Sequence, residues 1–237
     1  MNFTKGIKDG IPIGLGYLSV SFAFGIAATQ VTEAHGGLTI AQAVLISMAN
    51  VTSAGQVAGL ELIFAGASML EMALTQFIIN LRYALMSLSL SQKMDSDMTL
   101  VPRMIFAFCN TDEVFAVASK QAGKVGRRYL YGLMTAPYFG WALGTLLGAA
   151  AGTILPAMLR DALGVAIYGM FIAIVIPPAK RERPVRFAVV LAAALSCLLT
   201  YVPGLNRIPG GFAIIVCAVA VSALCAALFP IREEDDA

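Results

Sequence analysis

Long apolar stretches, separated by short polar or basic ones, set the pattern of this chain. Ile11 to Val31 runs 21 residues without a charge, which at about 1.5 Å per helical residue matches a hydrocarbon core of about 30 Å. Further apolar stretches run Leu38 to Gly66, Met69 to Leu90, Val101 to Ser119, Tyr129 to Leu155, Ala162 to Pro178, Phe187 to Pro203 and Gly210 to Phe229. The pattern predicts an all-α membrane bundle of seven or eight spanning segments, one integral membrane domain over residues 1–237. The second stretch is too long for one untilted helix, and Asn50-Val51-Thr52-Ser53-Ala54-Gly55-Gln56 interrupts it. A broken helix is expected there. The fourth carries Asn110-Thr111-Asp112-Glu113 at its centre and is the weakest span.

Basic residues orient these segments. Lys120, Lys124, Arg127 and Arg128 crowd one loop, and Lys180, Arg181, Arg183 and Arg186 another, whereas Thr32 to Gly37 and Gly204 to Pro209 hold only Arg207. The positive-inside rule puts the first two loops in the cytoplasm and the last two outside, with both termini cytoplasmic for eight crossings. The apolar run after Lys5 and Lys8 is longer than a signal peptide's and lacks a small-residue cleavage site, so it is expected to stay in the mature protein. Glycines and aromatics are spaced alike from Gly14 to Ala28 and from Ala136 to Gly152, a faint similarity of the kind internal repeats produce.

Composition narrows the function. Hydrophobic residues make up 59% of the chain and charged residues 13%, against about 25% charged in an ordinary globular domain, and the mean hydropathy is +0.81. A soluble enzyme is excluded. A net charge of +2 is too small to displace counterions from phosphates, so no nucleic-acid partner is expected. Cys109, Cys197, Cys217 and Cys225 sit in apolar runs without C-x-x-C spacing and read as small hydrophobes. The sole histidine, His35, reads as a loop residue, and no metal or cofactor motif is present.

Charges inside apolar stretches are costly, about 2.5 to 3.5 kcal/mol on insertion scales, and therefore mark functional positions. Five occur. Glu61 and Glu71 flank an apolar run and read as solvated groups near a membrane surface. Arg82 lies deep within Phe77 to Met86, either snorkelling to the interface or offering its planar fork to a carboxylate in a cavity. Asp112 and Glu113 diverge by about 100 degrees on a helix, so one of them can pair with Arg82 while the other carries a proton or closes a structural ion pair. Asn80 points to a different helix face from Arg82. In the interrupted segment, Asn50, Thr52, Ser53, Gly55 and Gln56 supply hydrogen-bonding groups and a close backbone approach, the best pointer to a substrate site.

The run Ile46 to Gln56, then Asn80-Leu81-Arg82-Tyr83-Ala84-Leu85-Met86-Ser87, then Thr111-Asp112-Glu113-Val114-Phe115-Ala116, resembles the AzlC-type branched-chain amino-acid permeases in content and order. Gly6 to Pro12 and Phe22 to Gly25 fit as well, and the resemblance is strongest over about 6–150. It implies a secondary transporter, multi-pass in the bacterial inner membrane, that exports branched-chain amino acids, in some members methionine. It also implies a small AzlD-type membrane subunit as partner. Under this reading Asn50, Thr52, Ser53, Gly55, Gln56, Asn80 and Arg82 bind substrate, and Asp112 and Glu113 couple protons or pair with Arg82.

Rival readings leave distinct marks. A membrane enzyme is disfavoured: the chain has no H-E-x-x-H, no G-x-S-x-G and no P-loop lysine. A passive channel needs rings of charge and a continuous water path, whereas these charges nearly cancel by pairing. A subunit that only assembles a partner would retain export after Arg82 is replaced.

Overall fold

The computed structural model describes residues 2–30, 36–152, 154–156, 158, 168–169, 172–173 and 175–230. His35, and most of the stretch expected to span Ala162 to Pro178, lie outside them. Among the described residues are nine α-helices: α1 Phe3–Thr29, α2 Ile40–Ala49, α3 Ser53–Phe64, α4 Met69–Ser91, α5 Leu100–Ala107, α6 Asp112–Ser119, α7 Arg127–Gly152, α8 Arg183–Tyr201 and α9 Gly210–Leu228. The protein is all-helical, as the periodicity requires. By length and composition, α1, α8 and α9 can each cross a membrane.

Two compact units divide the chain: Met1–Leu60 with Asn80–Ile167, and Glu61–Ile79 with Tyr168–Ala237. The first is organised around α1 and α7. Both helices repeat small residues at four-residue intervals, Gly6, Gly10 and Gly14 on one and Gly132, Ala136, Gly140, Gly144, Gly148 and Gly152 on the other. That spacing strips one helix face of bulk, which lets two backbones touch where no hydrophobic effect drives helices together. A Cβ on Gly6 would lie 2.7 Å from the Leu133 nitrogen, on Gly14 2.6 Å from the Ala136 carbonyl oxygen, and on Gly25 2.6 Å from the Ala149 nitrogen. Contacts that advance together along both chains make the pair parallel. The glycine and aromatic spacing thus lies on two helices packed against each other.

Two short-helix pairs pack beside them from opposite ends. Leu38 N–H donates to the Ala28 carbonyl at 2.7 Å, so α2 starts beside the C-terminal end of α1. Thr39 and Gln42 close a capping box there. Ser47 and Gln56 then hydrogen-bond one another across the break. On a continuous helix nine residues would separate them by about 13 Å, so α3 folds back along α2. The second pair opens at the other end. The Asp97 carboxylate accepts the Arg127 N–H at 3.0 Å ahead of α5. Beyond α6, Gln121 accepts the Lys5 ammonium at 2.8 Å, and Lys93 reaches the Ser119 carbonyl.

The expected broken helix is thus present, but the chain reverses there instead of continuing, and the weak fourth span reverses too. The amino terminus and the Lys120 to Arg128 loop lie at one end, as the Lys5 to Gln121 bond shows. A repeated order emerges: a long helix, α1 or α4, followed by a fold-back pair. The end near Lys5 is packed by Leu90, Met94, Met98, Phe106, Val114, Val125, Tyr129, Leu130 and Leu133.

In the second unit, Phe187 near the start of α8 meets Phe229 just past α9, with ring centroids 5.7 Å apart. Glu71, expected in solvent, is buried there at 6% exposure, because its carboxylate accepts the Gly211 N–H at 2.8 Å. Glu61 remains exposed, with the Tyr168 hydroxyl 3.4 Å from its carboxylate.

Candidate functional site

Both breaks fall near the midpoints of α1 and α7, and the tips meet. Val51 of one and Cys109 of the other pack against Trp141, with Tyr17, Val20, Met134 and Tyr138 around them. Tyr17 and Trp141 stand edge to face at 5.3 Å between ring centroids.

At the first tip, Thr52 caps α3. Its carbonyl takes the Gln56 N–H at 3.0 Å and its hydroxyl oxygen the Gly55 N–H at 3.3 Å, satisfying donors that a helix start leaves open. Gln56, 2% exposed, donates to the Asn50 carbonyl at 2.8 Å and to Ser47 Oγ at 3.1 Å. Ser47 Oγ lies 2.6 Å from Thr145 Oγ1 on α7. Gln56 is thereby committed to stapling the hairpin to itself, and through Ser47 to α7. Ser53 opens α3, whose first turn carries no acidic residue.

At the second tip, Thr111 precedes α6 in the equivalent place, yet its side chain does not cap the helix. It is drawn away by the Tyr17 hydroxyl, 2.6 Å distant, which also donates to the Glu113 carboxylate. Asp112 and Glu113 occupy the first turn instead, where carboxylates stabilise the positive end of a helix. Asn110 donates to Ser87 Oγ at 2.9 Å.

Arg82 connects the tips. Its Nη1 lies 2.9 Å from Asp112 Oδ2, with both side chains 46% exposed. Its Nη2 donates to the Tyr83 hydroxyl at 3.1 Å, which donates to Thr52 Oγ1 at 3.1 Å. Of the two acidic residues read from the sequence, the ion pair uses Asp112, while Glu113 turns to Tyr17. Asn80 is half-buried on α4, two positions before Arg82.

Two polar atoms buried at this junction have no hydrogen-bond partner, the acceptor Asn110 Oδ1 and the donor Trp141 Nε1. Buried groups are normally satisfied by protein or ordered water, so these two atoms are exceptions within the protein. The centre thus combines a positive helix start without acidic residues, a guanidinium shared between a carboxylate and a phenol, a second carboxylate held by a phenol, and an unused donor and acceptor. Sequence reasoning did not single out Tyr17, Ser47, Tyr83, Trp141 or Thr145. Their signal was the isolated hydroxyl or indole within an apolar run, which becomes specific only when a partner hundreds of atoms away along the chain is known.

Such a helical membrane protein, with two broken segments converging on a charged centre, belongs with polytopic proteins whose interior is organised around a polar site. The chain is a member of the AzlC family: the family model described as AzlC protein matches residues 12–155, from within α1 to just past the end of α7. It is 29% identical over 202 residues to the inner membrane protein YgaZ of Escherichia coli K12, covering 82% of this chain and 80% of that one. It is also 34% identical over 189 residues to an uncharacterized membrane protein of Archaeoglobus fulgidus, covering 79% and 80%. A Helicobacter pylori membrane protein matches at 26% identity over 158 residues, covering 64% and 66%. No solved structure matches the chain.

Proposed function

We propose that this protein is a secondary transporter of the bacterial inner membrane that exports branched-chain amino acids, with methionine a further candidate substrate, driven by the proton gradient and acting with a small AzlD-type membrane subunit. The observation that carries the reading is the half-exposed Arg82–Asp112 pair where the two hairpin tips converge. Discontinuous helices that meet near the membrane midplane are where many secondary carriers bind substrate and coupling ion.

The chemistry follows from the exchange of partners. An amino acid brings its own carboxylate, which competes with Asp112 for the Arg82 fork and is favoured by the positive start of α3 and the Trp141 N–H. Its ammonium matches Glu113 and the vacant Asn110 Oδ1. Asp112, once released, and Glu113 hold the substrate ammonium only while charged, so a proton on either competes with substrate, the linkage that proton-driven export requires, without a covalent step. Asn50, Ser53, Gly55 and Asn80 complete the lining, while Thr52 and Gln56 position the first tip.

Efflux of labelled leucine, valine, isoleucine and methionine from vesicles holding the protein, with and without the small subunit, tests the proposal. The expected flux saturates with substrate, depends on an imposed pH gradient and disappears in Arg82→Ala. Unsaturable flux identifies a passive channel. Export retained in Arg82→Ala identifies an assembly subunit.

A further inference from the structure

Arg82 and Tyr83 are neighbours on α4, and side chains at adjacent helix positions point about 100 degrees apart. Helix geometry alone does not bring them together. Yet the Arg82 guanidinium lies over the Tyr83 ring, 4.9 Å from its centroid, and its Nη2 donates to the hydroxyl of the same ring at 3.1 Å. A long cation in an apolar segment ordinarily extends toward the membrane surface, so this bend needs an anchor.

The anchor is the first hairpin tip. A guanidinium only donates, so the Tyr83 oxygen gives a lone pair to Arg82 while its own proton goes to Thr52 Oγ1 at 3.1 Å. Thr52 is 3% exposed and is fixed in turn, because the same oxygen takes the Gly55 N–H at 3.3 Å in capping α3. A directed chain thus runs from Arg82 through Tyr83 to a helix start. A phenol polarised by a cation is the stronger donor, so the two hydrogen bonds of Tyr83 support each other. Asp112, the other partner of Arg82, lies 2.9 Å away on the second hairpin, with both side chains 46% exposed. A pair so open to solvent holds an arginine only weakly.

We propose that Tyr83 is a positioning residue of the Arg82 centre: its ring and hydroxyl keep the guanidinium between the tips, presented to a carboxylate solute, after Asp112 has let go. The role in binding rests on the export reading, in which a solute carboxylate displaces Asp112. A guanidinium carries several N–H donors, and the single bond to the phenol leaves others for a planar carboxylate. Without the phenol, a released Arg82 swings away and must be ordered again when the solute binds, which weakens affinity. A solute lacking the carboxylate gains nothing from the ordered fork, so Tyr83 favours leucine over leucinamide.

Modification of Arg82 by phenylglyoxal, followed by mass spectrometry of the full chain in lipid nanodiscs, tests both parts. Without ligand, Tyr83→Phe, which keeps the ring and removes the hydroxyl, should raise the Arg82 rate about fivefold, the effect of one lost hydrogen bond. Thr52→Val should raise it too, and Thr52→Ser should restore the wild-type rate. Tyr138→Phe removes another phenol bonded to the same hairpin, at the Met48 carbonyl, and should leave the Arg82 rate unchanged; an increase equal to that of Tyr83→Phe means general loosening and overturns the proposal. With ligand, leucine should protect wild-type Arg82 far better than leucinamide, and about fivefold more leucine should be needed in Tyr83→Phe. A wild-type rate in Tyr83→Phe overturns the proposal, as does an unchanged leucine requirement. Should Tyr83→Phe fail to fold, a wild-type rate in Thr52→Val overturns it instead. If the ligand-free rates change as expected but leucine does not protect wild type, the export reading falls and the tether of Arg82 to Tyr83 stands.

Discussion

The two hairpins share a plan and differ in charge. Each reverses at a tip holding an asparagine and a threonine, Asn50 and Thr52 in one and Asn110 and Thr111 in the other, and each presents the positive start of a short helix to the centre of its unit. In the first, Thr52 caps its own helix, Gln56 is spent on internal bonds and the first turn is free of acids. In the second, Thr111 is taken by Tyr17 and two carboxylates fill the first turn. One tip is therefore internally satisfied and electropositive, the other is tied to its neighbours and electronegative. Similar backbones can thus build complementary halves of one site, with Arg82 and Tyr83 of α4 between them.

The largest effect expected concerns the two mouths. With the positive-inside orientation, a cysteine placed at Leu38 should react almost fully with an impermeant thiol reagent added outside intact cells, and one at Gln121 or Lys180 hardly at all. Equal labelling of the first two from one side means that the hairpins do not open to opposite faces. Next is the link between the tips. Arg82→Ala should abolish efflux and cost about 1 to 3 kcal/mol in unfolding assays, less than a fully buried pair because solvent screens it. Adding Asp112→Asn should recover most of that stability and none of the efflux, whereas the cycle with Glu113→Gln should be additive within about 0.5 kcal/mol.

Gln56→Leu tests the self-satisfied tip. It leaves Ser47 and the Asn50 carbonyl without their amide partner, so membrane insertion should persist with a loss of about 1 to 3 kcal/mol and weakened apparent substrate affinity. Tyr17→Phe, at the tied tip, should cost least, about 0.5 to 1.5 kcal/mol. The freed Thr111 can then cap α6 as Thr52 caps α3, which offsets part of the loss. A Tyr17→Phe loss larger than that of Gln56→Leu would reverse the ranking and show that the second hairpin depends on α1 more than the first depends on its own bonds.

Much of this was legible in the residues themselves. The polar stretch from Asn50 to Gln56 marked a break because a run of poor helix formers with hydroxyl and amide side chains competes for the backbone's own bonds. Arg82 demanded an acidic partner because an unpaired guanidinium is costly in an apolar segment, and Asp112 and Glu113 were the central carboxylates. Which of the two answered it was not legible, since neighbours on a helix differ only in the direction they face, and direction matters only once α1 and α4 are in place.

Hydropathy and local capping signals thus determined that the chain is helical, that it belongs in a membrane, where helices break and which charges need company. These depend on each residue's own solvation and on neighbours within a turn. Tertiary structure alone decided that the chain reverses at both breaks, because a crossing segment and a returning one bury equal apolar length and read alike in sequence. It alone turned Glu71 from an expected surface charge into the shared cap of two helices, because the second helix start that holds it lies 140 residues away along the chain.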